Sequence, residues 1–231
     1  MKKIKGLLCD LDNTLYDYEQ THQKAMATAL SFFCDQTKLN PEEGAPLYMK
    51  ARQQINSELK NTAASHNRLL YFQRMLELMD HRPLTCALDA YHCYWNTFID
   101  NIELFDGVMD FFHGKQDRKI TILTDLTAEI QHKKCHHLKL FDFIDYLVTS
   151  EEAGEDKPNA KMFQCALNKM DLQADEVLMI GDNYEKDMMG ALHCGIKGLW
   201  LNRDQPSIHL QHDNIKEFSH FKDIQDYLTH A

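Results

Sequence analysis

No C-x-x-C pair occurs among the seven cysteines, Cys9, Cys34, Cys86, Cys93, Cys135, Cys165 and Cys194. Their odd number and their spacing fit neither a disulfide framework nor a zinc knuckle, and reduced thiols in a cytoplasmic protein fit best. No apolar run approaches the roughly 18 residues of a membrane helix. Lys2 and Lys3 precede an apolar stretch, but Asp10 and Asp12 end it too early for a secretory signal. An excess of positive charge is also lacking. The formal net charge is -10, which argues against a nucleic-acid polymer or an anionic membrane as the main partner. If the substrate is itself an anion, the site must supply local positive charge against that field. Internal repeats and low-complexity segments are absent from the sequence. What remains is 231 residues, 44% hydrophobic and 26% charged, enough for one large α/β domain or one domain plus an insertion.

Five short apolar runs stand out: Ile4–Cys9, Ile120–Thr124, Tyr146–Thr149, Val177–Ile180 and Gly198–Leu201. Each is largely apolar on both faces, the pattern of parallel strands covered on both sides. Helical patterns lie between the later runs, at Ala128–Leu138, at Pro158–Met170 with proline in the first turn, and at Lys186–Cys194 with Gly195 as a stop. This alternation predicts a doubly wound parallel sheet. About a hundred residues separate the first run from the second. They contain no convincing strand, and Thr21–Phe33, Pro46–Leu59, Leu69–Met79 and Leu84–Phe98 read as helices. The expected organisation is a Rossmann-like core of residues 1–16 and 101–231 with a helical cap inserted at 17–100. Residues 203–231 read as a loop and one short helix around Phe218–Leu228.

In an open parallel sheet, charged and phosphate-handling groups gather beyond the C-terminal ends of the strands. Asp10 and Asp12 sit at one such end, Thr124 and Asp125 at a second, and Asp182 at a third with Asp187 five residues on. Lys157 opens the helix in "GEDKPNAKMF". Two carboxylates about 5 Å apart repel by roughly 3 kcal/mol at an effective dielectric of 20. That repulsion favours a proton on one of them, which suits a general acid.

The ordered set "DLDNTL", "LTD", "KPNAKMF" and "GDNYEKD" resembles the four motifs of the haloacid dehalogenase-like hydrolase superfamily. The helical insertion falls at that family's first cap position. The resemblance implies a phosphomonoesterase acting on a small phosphorylated metabolite. Asp10 would be the nucleophile forming an aspartyl-phosphate, and Asp12 the general acid and base. Lys157, the Thr124 hydroxyl and the backbone N–H groups of Leu11, Asp12 and Asp125 would hold the phosphate. Mg2+ would be bound by Asp10, the backbone carbonyl of Asp12 and Asp182, with Asp187 holding a metal-bound water or orienting Lys157. A monomer or a homodimer fits this reading.

The family more often has Asn after the Ser or Thr of its second motif, so Asp125 is a departure. Thr124-Asp125 also reads as an ordinary N-cap, and Asp125 would then turn its side chain away from the phosphate to cap the next helix. "HKKCHH" places His132 and His136 at a zinc-compatible i, i+4 spacing without a third ligand, so a solvated helix face is preferred. The Met and aromatic residues of "LLYFQRMLELM" read as cap core. Tyr16, Asp17 and Tyr18 begin the hinge into the cap, where they touch substrate or only pack the linker. Three alternatives stand beside the phosphatase. A 2-haloacid dehalogenase lacks the second aspartate. A phosphomutase usually shows D-x-D-G-V where Asn13 and Thr14 stand here. A non-catalytic binding protein would be favoured by loss of a catalytic acid, and none is lost. "DLDNTLYD", "SEEAGEDKPNAKMF" and "LWLN" also look similar to the pyrimidine 5'-nucleotidase-like branch, a likeness partly shared with sugar-phosphate phosphatases.

Overall fold

The computed structural model describes residues 3–203 and 212–230. The chain forms two compact units, one of Met1–Asp17 with Glu103–Ala231 and one of Tyr18–Ile102.

The first unit starts with β1 (Gly6–Cys9), all four residues buried. The chain then enters the second unit, which is helical: α1 (Tyr18–Thr37), α2 (Pro41–Glu58), α3 (Arg68–Leu78) and α4 (Ala87–Asp100). Each of these helices buries one stripe. Phe33 of α1, Tyr71, Phe72, Met75 and Leu76 of α3, and Tyr94, Trp95 and Phe98 of α4 form its core. The Asn40 side chain accepts from Glu42 N and Pro41 sits in the first turn, so α2 starts five residues before the predicted Pro46 and carries Pro46 inside it.

Back in the first unit the order is α5 (Val108–His113), β2 (Lys119–Thr124), α6 (Ala128–His137), β3 (Tyr146–Thr149), α7 (Ser150–Ala153), α8 (Ala160–Met170) and β4 (Val177–Gly181). A π-helical turn (Tyr184–Met189) leads into α9 (Gly190–His193), and β5 (Lys197–Leu201), β6 (Ile215–Phe218) and α10 (Phe221–His230) complete the chain. The six described strands are all parallel, in the order β3-β2-β1-β4-β5-β6. One face packs Leu8, Leu123, Val148, Met179 and Trp200 against Met162, Phe163, Ala166 and Met170 of α8. That helix is written plainly in the sequence. Asn159 caps it by accepting from Lys161 N, and its apolar residues recur at three- and four-residue spacing. Pro158 lies before the cap rather than in the first turn as predicted, because Asn159 is the residue whose side chain takes the orphan N–H.

The C-terminal reading needs correction. The predicted loop contains β6, and the helix starts at Phe221 rather than near Phe218. "IKEF" is an edge strand with only Ile215 buried, so it never shows the two-sided apolar run that marks the four inner strands. The part of this segment at residues 204–211 lies outside the described residues.

The topology fixes where chemistry can sit. From β1 the chain moves to β2 and β3 on one side, then crosses to β4 on the other. β1 is therefore flanked by β2 and β4 at the point where the strand order reverses, the crevice in which open α/β sheets bind ligands. The register aligns the three ends, since Cys9 pairs with both Ile122 and Ile180. Asp10 continues the ladder with its N–H bonded to Ile180 O at 2.9 Å.

Candidate active site

Two buried acids, Asp10 and Asp187, meet one buried lysine at this crevice, with the half-buried Asp182 beside them. Lys157 Nζ donates to Asp10 Oδ1 at 2.6 Å, to Asp187 Oδ1 at 2.7 Å and to the Leu123 carbonyl at 3.0 Å. All three donors of the ammonium are thus directed. Asp10 Oδ2 accepts from the Thr14 hydroxyl at 2.8 Å, and the same hydroxyl oxygen takes the N–H of Asp182 at 3.1 Å. Thr14 thereby ties the loop after β1 to the loop after β4. Carboxylate oxygens of Asp10, Asp182 and Asp187 all lie within 4.8 Å of one another.

Asp187 reaches this cluster by an unusual local device. The π-helical turn Tyr184–Met189 widens the backbone, and the Asp187 carboxylate lies against Gly181, where a Cβ would collide with it. A glycine is required there by close approach. Asn183 N donates to Asp187 Oδ2 at 3.0 Å, and the Trp200 indole holds the neighbouring loop through Asp182 O at 2.8 Å.

The electrostatics follow from burial. Asp10 is pushed up from 3.8 to about 7, chiefly by burial, which the Lys157 ammonium only partly offsets and which Asp187 and Asp12 reinforce. Asp182 rises to about 6 through burial and the charge of Asp10. Asp187 is raised by burial too, against the pull of Lys157. Burial alone would lower Lys157, but Asp10, Asp187 and Asp125 outweigh it and hold the ammonium well above its ordinary range. Three carboxylates face one ammonium, so full ionisation leaves an excess of two negative charges. A hard divalent cation that prefers oxygen ligands fits that donor set in number and charge.

Asp12 stands apart from this cluster. Its two oxygens accept from Lys134 Nζ at 2.7 and 2.9 Å, and Oδ1 also accepts from the Tyr16 hydroxyl. Lys134 is fully buried while the Asp12 side chain keeps 28% of its exposure. From the same helix as Lys134, Gln131 Nε2 donates to the Thr124 hydroxyl oxygen at the end of β2 at 2.6 Å. Asp125 is not a helix cap. Its Oδ1 accepts from Lys157 N at 2.9 Å and its Oδ2 from Lys186 Nζ at 2.8 Å, while Thr127 occupies the N-cap position. The departure from Asn is thus balanced by a lysine.

Sequence reasoning missed Lys134, Gln131 and Lys186. The first two lie on α6, inside and beside the stretch read as a solvated face. His132, His136 and His137 are indeed exposed, but Gln131, Lys134 and Cys135 form a buried stripe on the opposite side. The i, i+3, i+4 spacing of Gln131, Lys134 and Cys135 was the available signal, masked because two of its members are polar. Tyr16 is buried against Asp12 within the first unit, whereas Tyr18 opens α1 of the helical unit.

These site groups gather at the carboxyl ends of parallel strands, where open α/β sheets bind their ligands. The haloacid dehalogenase-like hydrolase family matches over residues 7–201, and the chain belongs to that family. It is 35% identical over 206 residues to the ribulose-1,5-bisphosphate 5-phosphatase of Halopiger xanaduensis, covering 87% of this chain and 86% of that one. It is 39% identical to the pyrimidine 5'-nucleotidase YjjG of Escherichia coli, but over only 92 residues, 38% of this chain and 41% of that one. In fold it is similar to the crystal structure of a HAD phosphatase from Thermococcus onnurineus, with a TM-score of 0.76, 18% identity, and coverage of 97% of this chain and 98% of that chain.

Proposed function

We propose that this protein is a magnesium-dependent phosphomonoesterase that hydrolyses a small phosphorylated metabolite through an aspartyl-phosphate on Asp10. The observation that carries the reading is the second aspartate, Asp12, held beside but outside the Asp10–Lys157–Asp187 cluster. A nucleophile alone would serve attack on carbon. A separate proton donor is what an alkoxide leaving group needs.

Asp10 and Asp182, with Asp187, would hold the Mg2+, which when bound offsets the excess carboxylate charge and draws Asp10 into the ionised form that attacks. A carboxylate oxygen of Asp10 bonds to phosphorus as the bond from phosphorus to the ester oxygen breaks, and Asp12 gives its proton to that oxygen. Water then attacks the same phosphorus, passes its proton to Asp12, and releases inorganic phosphate with Asp10 restored. Lys157 neutralises the phosphoryl oxygens, and the Thr124 hydroxyl and the N–H groups of Leu11, Asp12 and Asp125 bind them. Gln131 orients Thr124 for that task.

Within this class a sugar phosphate is favoured over a nucleotide. The likeness to a sugar-bisphosphate phosphatase runs through 87% of the chain, helical unit included, whereas the likeness to the nucleotidase covers 38%. A panel of phosphate esters assayed with Mg2+ and with chelator tests the reading, with chloroacetate as the competing substrate. Mg2+-dependent phosphate release from sugar phosphates is expected. Chelator-insensitive chloride release, with no phosphate released, would overturn it.

A further inference from the structure

We propose that Lys134 is a positioning residue for Asp12, fixing the direction in which its carboxyl meets the leaving group; the proposal rests on the phosphatase reading given above. Lys134 lies 122 residues from Asp12 in the chain and reaches both of its oxygens from α6, at 2.7 and 2.9 Å. Burying a long, entropy-rich ammonium costs free energy unless its partner is fixed and well aligned. Here the lysine is completely covered and the aspartate is not. The ammonium grips the carboxyl from within the protein, and 28% of the Asp12 side chain stays exposed.

The surroundings strengthen this assignment. The Tyr16 hydroxyl donates to the same carboxylate, and the Lys134 ammonium lies 5.9 Å over the Tyr16 ring. The site thus contains two buried lysines with separate partners: Lys157 bonds to Asp10 and Asp187, Lys134 to Asp12. Loss of Lys134 removes two hydrogen bonds that oppose rotation of the Asp12 side chain and leaves the Tyr16 bond in place. With Lys134, the direction persists through both half-reactions. When one Asp12 oxygen carries the proton, the other still accepts from Lys134. Lys134 itself transfers no proton. The proton leaves Asp12 for the ester oxygen as the bond from phosphorus to that oxygen breaks, and the attacking water returns one.

The test uses Lys134→Met and Lys134→Arg, each in the Asp12 and the Asp12→Asn background. Two substrates are compared through kcat/KM, which reports the first phosphoryl transfer: an alkyl phosphate, whose leaving group needs a proton, and p-nitrophenyl phosphate, whose leaving group does not. Lys134→Met is expected to lower the alkyl value by about 100-fold, the lower part of the range for a general acid. The aryl value falls by no more than about tenfold, and the inhibition constant of inorganic phosphate stays within about threefold. Lys134→Arg restores most of the alkyl activity and guards against a folding defect in the methionine variant. Adding Lys134→Met to Asp12→Asn costs nothing further, because both act through one carboxyl. Equal losses on the two substrates, an additive double variant, or a matching loss of phosphate affinity would overturn the proposal alone. A wild-type protein inert towards both esters would overturn the phosphatase reading and the proposal with it.

Discussion

Asp10→Asn should remove activity and, in metal-free protein above neutral pH, make the protein more stable. The Asp10 carboxyl is pushed from 3.8 to about 7 by burial and by Asp187 and Asp12, despite the bond to Lys157. A carboxyl raised in the folded state stabilises the fold fully below its unfolded value, near pH 4, and that contribution is lost as pH rises through about 7. The rise corresponds to roughly 4 kcal/mol across this window. Asparagine has no proton to lose, so the variant escapes the penalty. It also relieves Asp182, whose own rise owes part to the charge of Asp10. Lys157 keeps Asp187 as a partner. The two proteins should therefore be equal to within about 1 kcal/mol at pH 4.5, the scale of one rearranged hydrogen bond. By pH 8 the variant should lead by about 2–4 kcal/mol. Urea unfolding in chelator at several pH values reads this out as a shift of midpoint at constant slope. A difference that does not vary with pH, or a variant less stable than wild type at pH 8, would refute the reasoning and mean that Lys157 fully compensates the Asp10 charge.

Divalent cation should act in the same window. Mg2+ should raise the thermal midpoint of the wild type more at pH 7.5 than at pH 5, because Asp10 and Asp182 must lose protons to bind it; a calorimetric scan with an equal gain at both values would contradict the ligand assignment. Lys157→Met should abolish phosphate release and cost about 3–5 kcal/mol at pH 8, since it strands the buried carboxylates of Asp10 and Asp187; chemical unfolding measures it, and the cost should shrink below pH 5 as those groups protonate. Gly181→Ala should displace the Asp187 carboxylate, costing about 1–3 kcal/mol together with most of the activity; full activity in that variant would show that Asp187 has room to move.

Much of this architecture is legible in the sequence because the inner strands and the motifs reinforce one another. Leu7, Leu8, Ile122, Leu123 and Ile180 are buried among neighbours on both sides, so their runs are apolar throughout and end sharply where Asp10, Asp125 and Asp182 begin. The edge strand Ile215–Phe218 gives no such run, since only its first residue is buried. The site shows the same division. Residues beside strand ends are found by position alone. Lys134 is not, because its role depends on a helix face turned inward and on a partner 122 residues away. A buried lysine reads as a solvated one until the fold places a carboxylate against it. Asp125 reads as an anomaly for the same reason, since its balancing charge, Lys186, comes from a different loop.

The central claim is that Asp10 carries the phosphoryl group. Acid quenching of the enzyme within its first turnover, with 32P-labelled substrate and Mg2+, tests it most directly. The account predicts protein-bound label in the peptide containing Asp10, chased off by water within a turnover and absent in Asp10→Asn. Release of labelled phosphate by the wild type with no label on that peptide at any time would contradict it.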